Sequence, residues 1–326
     1  MPVGAYAVAS DTGRKRRRNE DNYVVAPPLF AVADGMGGAQ AGEVASRLAA
    51  SALEGGDNDG LQGPERVDAL IQEANRRIYD RASTDPSASG MGTTMTVALV
   101  EGMTVAIGHV GDSRGYLVRG ERMEQLTDDH SLVNELQKSG KLSAEEAQAH
   151  PQRSVITRAV GTDPDVDVDA FTIEAEDGDI FLICSDGLTD MVEDEEILEL
   201  VHRNRDDLDK AVESLVAAAN RGGGEDNITA VAFRMVSEGG ISTEDTVAMP
   251  AITADETEPD EETREYGEEL KAGDTMVVPP DEIPDEVAAS DGGPKPVADA
   301  RRVRVVLIAL VVLAIAAALV AWWFLR

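Results

Sequence analysis

The spacing of apolar runs in this chain predicts an α+β fold in which stacked antiparallel sheets carry helices on the outside, in preference to a doubly wound α/β sheet. Three observations carry that prediction. Eight runs rich in Val, Ile, Leu and Ala have the length of strands. Three of them, between residues 95 and 119, follow one another with only short Gly-containing turns between, which reads as hairpins. Four helical segments are too few for a parallel sheet, in which each crossover needs a helix of its own.

In chain order, strands are expected at residues 6–9 and 29–33. A helix over 41–53 follows a glycine turn. The helix over 64–82 opens on Pro64, where a missing N–H is harmless, and gathers Val67, Leu70, Ile71, Ala74 and Ile78 on one face. Strands at 95–100, 105–110 and 115–119 form the hairpin block, and strands at 166–173 and 180–184 follow. Helices over 195–202 and 208–219 come next, the second stopped by Asn220 and three glycines at 222–224. A strand at 228–233 closes the set.

With 326 residues, the chain has room for about two domains. Its formal charge of −33 excludes a basic nucleic-acid footprint, so no nucleic-acid partner is expected. Residues 237–300 alone carry about −16 and are rich in Pro, Gly and Thr, a composition that cannot bury enough apolar surface to fold. They are expected to form a disordered acidic linker between a domain at 1–236 and a membrane anchor at 301–326. Residues 305–325 are uncharged and apolar, long enough to cross a ~30 Å hydrocarbon core. Arg301, Arg302 and Arg304 on the near side orient such a span with the domain in the cytoplasm, as a single-pass protein of the cell membrane. No secretory signal is expected within residues 1–21. The single Cys184 rules out an internal disulfide and reads as a small buried core residue. Within the linker, Asp245-Thr246-Val247-Ala248-Met249-Pro250 and Asp274-Thr275-Met276-Val277-Val278-Pro279 share one Asp-Thr-φ-x-φ-Pro pattern. Thr246 and Thr275 are candidate phosphosites for a phosphothreonine-reading partner, against the alternative of chance repetition in a biased segment.

Chemistry is concentrated in short acidic turns at the ends of predicted strands. They are Asn19-Glu20-Asp21, Asp34-Gly35-Met36-Gly37-Gly38, Ser185-Asp186-Gly187 and Glu225-Asp226-Asn227. Carboxylates at strand ends converge on one edge of a sheet, and hard oxygen ligands of that kind suit Mg²⁺ or Mn²⁺ rather than zinc. Any one Asp-Gly turn, taken alone, is more often only a turn.

Together with Ser10-Asp11, Gly13, Arg16, Gly42-Glu43, Gly90-Met91-Gly92-Thr93-Thr94 and Gly111-Asp112-Ser113-Arg114, the ordered set resembles the protein phosphatase 2C family of metal-dependent Ser/Thr phosphatases. The resemblance spans nearly all of residues 5–236 and implies the family fold, a central sandwich of two antiparallel β-sheets flanked by helices (α-β-β-α). The linker and terminal apolar run resemble the membrane-anchored bacterial branch, whose members oppose transmembrane Ser/Thr kinases. On that resemblance, Asp34 bridges two Mn²⁺ or Mg²⁺ ions and the Gly35 carbonyl ligates one of them. Asp186 and Asp226 hold the other, and Glu20 and Asp21 complete the site. Asp112 joins Asp186 at a third, weaker position, and Arg16 binds the substrate phosphate. The implied reaction is hydrolysis of phosphoserine and phosphothreonine monoesters in phosphoproteins by direct in-line attack of a water activated between two metals.

Asp112 has a second reading, as the pin of the 111–114 turn, and Glu43 has one as a helix-end ion-pair partner. Met36 departs from the many eukaryotic members that have a general-acid His there, and the sequence assigns no replacement. His130 and His150 bracket residues 127–161, which resemble the mobile flap of bacterial members, with a helical stretch around Glu145 and Glu146. Both histidines read better as structural or surface groups. Two other classes fit less well: a non-catalytic adaptor, which would be expected to have lost some ligands, and a hydrolase of small phosphorylated metabolites.

Overall fold

The computed structural model describes residues 2–37, 41–54, 60–143, 146–147, 150–237 and 276–277. In chain order they form β1 (Val3–Asp11), β2 (Asp21–Ala26), β3 (Leu29–Met36), α1 (Ala41–Glu54), α2 (Gly63–Thr84), β4 (Gly92–Thr93), β5 (Met95–Glu101) and β6 (Thr104–Val110). These are followed by β7 (Arg114–Arg119), β8 (Arg122–Gln125), α3 (Leu132–Lys138), β9 (Val155–Ile156), β10 (Asp169–Glu174) and β11 (Ile180–Cys184). The remainder are α4 (Asp186–Thr189), α5 (Asp194–Arg203), α6 (Leu208–Gly222), β12 (Ile228–Met235) and β13 (Met276–Val277). By contacts the chain divides into two units, Met1–Ile283 and Pro284–Arg326, and every described residue lies in the first.

Two antiparallel sheets stack face to face, ordered β1-β12-β11-β7-β8 and β10-β6-β5-β3-β2. Their inner faces interdigitate Phe30, Val32, Val105 and Ile107 of one sheet with Phe181, Ile183, Val231 and Phe233 of the other. Phe233 anchors this layer, its ring stacked 4.2 Å from Phe30 and 5.1 Å from Phe181. The outer face of the second sheet packs on α1 and α2 through Ala45, Ala49, Val67 and Ile71. The outer face of the first packs on α5 and α6 through Ile197, Val201, Val212 and Leu215. Alternation along each strand gives every sheet two apolar faces, so both demand a cover, and the α-β-β-α stack follows.

The strands and helices expected from sequence are present, with ends shifted by a few residues. One boundary needs correction: residues 166–168 are not strand, and β10 begins at Asp169. The Val166 carbonyl accepts a hydrogen bond from Gln72 Nε2 (2.7 Å), and its side chain packs under α2, so it is drawn out of the ladder. In the flap, Glu146 and Ala147 are helical, and Glu145 lies outside the described residues. Gly38, Thr246 and Thr275, the linker apart from Ser237 and β13, and the anchor at 301–326 also lie outside them. Among the described residues no helix is long and apolar enough to cross a membrane. Within the region expected to be wholly unstructured, Met276–Val277 pairs in parallel with β9.

Candidate metal centre

Chain geometry brings the predicted carboxylates to one end of the sandwich. Asp21 opens β2 and lies directly across the ladder from Asp34, near the end of β3. Asp186 starts α4 where β11 ends, Asp226 precedes β12, and Asp112 occupies the turn between β6 and β7. The site therefore draws on both sheets.

Close backbone approach holds these turns together. A Cβ on Gly35 would lie 2.2 Å from the Gly42 carbonyl oxygen and 2.6 Å from that of Glu20. Only glycine lets β3, the start of α1 and the Glu20 loop meet there. Gly13 (φ +79°) does the same for the loop that carries Arg16, since a Cβ would lie 2.1 Å from the Asp226 carbonyl. Asn227 ties that loop down. Its Nδ2 donates to the carbonyls of Thr12 (3.0 Å) and Arg18 (2.8 Å), and its Oδ1 accepts from the Glu20 N–H (2.8 Å). Arg16 reaches the cluster and donates to Asp226 Oδ2 at 2.7 Å.

Hydroxyls form a layer beneath the carboxylates. Ser185 and Thr229 both donate to Asp21 Oδ2, at 2.8 and 2.6 Å. Thr93 donates to the Asp34 carbonyl (2.7 Å), and Thr94 Oγ1 accepts from the Asp34 N–H (3.1 Å). Ser185, Thr229, Thr94 and Asn227 were not assigned roles from sequence. Their only signal was position beside an acidic turn, a placement that solvent-exposed turns share.

Electrostatically this is a site of crowded anions. Burial lifts the Asp34 carboxyl well above the usual range, and Asp21, Asp186, Asp226 and Asp112 lift it further. Asp186 is lifted in the same way by burial, Asp112, Asp226 and Asp190. Burial pushes Asp112 up to about 7, helped by Asp129 and Asp190. Burial raises Asp21 to about 6 despite the hydroxyls of Thr229 and Ser185. Glu20 is raised by burial against the pull of Arg16. All the predicted side-chain ligands thus act on one another, and Arg16 lies among them.

The donor set fits hard divalent cations. Asp21 Oδ1 and Asp186 Oδ1 are buried without a hydrogen-bond partner, so two desolvated carboxyl oxygens are left that a hard cation would satisfy. Among the described residues no three carboxylate, imidazole or thiol groups are already drawn into an ion cage.

The remaining sequence expectations resolve as follows. Asp112 faces the cluster and also lines an open groove of about 690 Å³ that runs from Asp186 past Asp190 and Arg114 to Arg153 on the flap. Glu43 pairs with Arg47 one helical turn away and with Arg18 at 3.8 Å, the helix-end role. Met36 is buried in a small cluster with Ile156 and Ala159. His150 accepts from the Gln152 N–H within its own turn (3.2 Å). His130 is buried and structural: its Nδ1 accepts from the Gly111 N–H (3.0 Å) and its Nε2–H donates to Asp169 Oδ2 (3.1 Å). Cys184 is buried, its thiol pushed up to about 12 by burial and therefore unreactive.

A four-layer sandwich with such a carboxylate cluster and an arginine at one end defines the metal-dependent phosphatase class. Comparison with known proteins agrees. The profile described as "Protein phosphatase 2C" matches residues 15–225, and the chain belongs to that family. The serine/threonine phosphatase stp of Listeria innocua is 42% identical over 231 residues, which cover 68% of this chain and 91% of the relative. The serine/threonine protein phosphatase PstP of Mycobacterium tuberculosis is 42% identical over 233 residues, covering 71% of this chain and 45% of the longer relative. Among solved structures, that of the M. tuberculosis phosphatase PstP/Ppp is 41% identical with a TM-score of 0.68, covering 72% of this chain and 99% of its own. A catalytic domain of PstP in complex with two manganese ions is 40% identical with a TM-score of 0.66, covering 72% and 99%.

Proposed function

We propose that this chain is a protein serine/threonine phosphatase whose catalytic domain, residues 1–236, hydrolyses phosphoserine and phosphothreonine monoesters in phosphoproteins with divalent metal. The observation that carries this reading is the convergence of Asp21, Asp34, Asp112, Asp186 and Asp226, from both sheets, around buried oxygens without partners. Asp34, the Gly35 carbonyl, Asp186, Asp226, Glu20 and Asp21 would hold two Mn²⁺ or Mg²⁺ ions, with Asp112 and Asp186 at a third position. The manganese pair in the related PstP catalytic domain supports that assignment. When bound, such cations act as Lewis acids that activate water and neutralise charge on the phosphoryl group.

The chain's own residues do the rest. Arg16, with a planar fork of donors, orients the phosphate and stabilises charge on its oxygens. Ser185 and Thr229 fix the Asp21 carboxylate so that one oxygen is held and the other faces the centre. The groove from Asp186 to Arg153 receives the polypeptide around the phosphorylated residue.

Around the catalytic domain, we read residues 237–300 as a linker and 305–325 as a membrane span with the domain on the cytoplasmic side. The run of uncharged residues and its flanking arginines support this. A Ser/Thr kinase is the natural antagonist, and Thr246 and Thr275 are candidate phosphosites for a phosphothreonine reader. The deciding experiment is release of phosphate from a phosphothreonine peptide. Activity with Mn²⁺, abolished by chelator, is expected. Turnover indifferent to chelator, or binding of the peptide without hydrolysis, would refute the enzymatic reading. Partition of the full chain into the membrane fraction tests the anchor.

A further inference from the structure

One pairing in the structure belongs to neither the sandwich nor the metal centre. Ile156 of β9 bridges Ser131 in antiparallel fashion, and β9 also pairs in parallel with β13, Met276 beside Val155 and Val277 beside Ile156. A residue that bridges two strands has one on each side, so β13 takes the edge of β9 that the domain leaves open. Those two residues belong to the second copy of the Asp-Thr-φ-x-φ-Pro motif, residues 274–279. The repeat is visible in the sequence alone, and the pairing is visible in the backbone alone. They coincide on the same residues.

We infer that the flap edge at Val155–Ile156 is a docking site for the chain's own linker motif at 274–279, taken up as an added β-strand. Strand addition draws its affinity from main-chain hydrogen bonds on an open edge, which Val155–Ile156 offers, and β-branched residues such as Val277 and Val278 favour the extended state. Reach is no obstacle, because the roughly 38 residues from 237 to 274 span up to ~120 Å when extended.

Docking would give the linker a second role besides distance. Arg153 lies at the head of β9, and its guanidinium stands 3.6 Å from Asp190 across the groove beside the metal centre. A strand seated on β9 therefore steadies a flap residue that lines that groove.

The test is hydrogen–deuterium exchange on the full chain, which reads the pairing without reference to catalysis. Met276→Pro removes the N–H that faces β9, because the Val155 and Thr157 amides turn the other way, to Gln152 and His130. It cannot continue the ladder, and it lies outside the sandwich, so the catalytic domain stays folded. Exchange in the peptide containing Ile156 is expected to quicken about tenfold in Met276→Pro, with β5, β6 and β12 unchanged. Met276→Leu should preserve protection. Equal exchange in wild type and Met276→Pro would overturn the inference. So would loss of protection in Val247→Pro but not in Met276→Pro, which would assign the strand to the first copy.

Discussion

The Asp21 carboxylate receives two hydroxyl hydrogen bonds on one oxygen and none on the other. That asymmetry is what a ligand needs: one atom fixes the group and the other remains available. Asp34→Asn keeps the shape and removes the charge, and should lower kcat/KM on a phosphothreonine peptide by at least ~10²-fold, as loss of a centrally placed charge-stabilising group does. Retained activity would disprove the assigned centre. His130 acts at one remove. Its Nδ1 is the acceptor for the buried Gly111 N–H, beside Asp112, and Asp169 holds the opposite N–H. Burial and the nearby Arg158 depress the His130 pKa, so the ring is neutral near pH 7 and Nδ1 stays an acceptor. His130→Leu should destabilise the protein by about 1–3 kcal/mol by orphaning that N–H, measured by urea unfolding. His130→Asn, whose Oδ1 falls near the position of Nδ1, should recover most of the loss.

Elements show where sequence reading succeeds and where it stops. Long apolar strands such as Ile180–Cys184, buried on both faces, were legible because nothing else tolerates five consecutive greasy residues. The amphipathic face of α2 was equally plain, and Val67, Leu70, Ile71, Ala74 and Ile78 are all buried. β2 was missed because its first residues, Asp21 and Asn22, read as part of an acidic turn, and β8 because its four residues are mostly polar. Arg122–Gln125 has no residue buried, and its polarity is what keeps an open edge from pairing elsewhere. In the centre, the acidic turns announced the carboxylates that cluster there, whereas the supporting hydroxyls and Asn227 had no pattern of their own. Gly35 makes a sharp test of how these elements meet. Gly35→Ala places a methyl 2.2 Å from the Gly42 carbonyl, so β3 and α1 must part. A loss of roughly 3 kcal/mol or more is expected in denaturant unfolding, beyond the ordinary range for one substitution.

For the whole molecule, the anionic centre links stability to pH and metal. Asp21 and Asp112 have folded-state pKa values raised to about 6 and about 7. Stability from such groups is full below the ordinary carboxylate range and is lost as pH rises through the folded values. The metal-free protein should therefore melt at a lower temperature at pH 7.5 than at pH 5. Mn²⁺ binds the ionised form, so it should raise the melting temperature more at pH 7.5 than at pH 5. Thermal melts with and without chelator at the two pH values check the sign. A chain ending at Val236 should remain soluble and turn over a small phosphoester at the full rate, because the linker contributes no group to the centre. Failure of that shorter chain to fold would move the domain boundary.

Because the clustered carboxylates are supplied by both halves of the sandwich, neither half is a working fragment. Partial melting of either layer scatters the centre, so loss of turnover on heating should coincide with loss of near-ultraviolet circular dichroism. Catalysis in this protein doubles as a gauge of whether its two faces are still registered against each other.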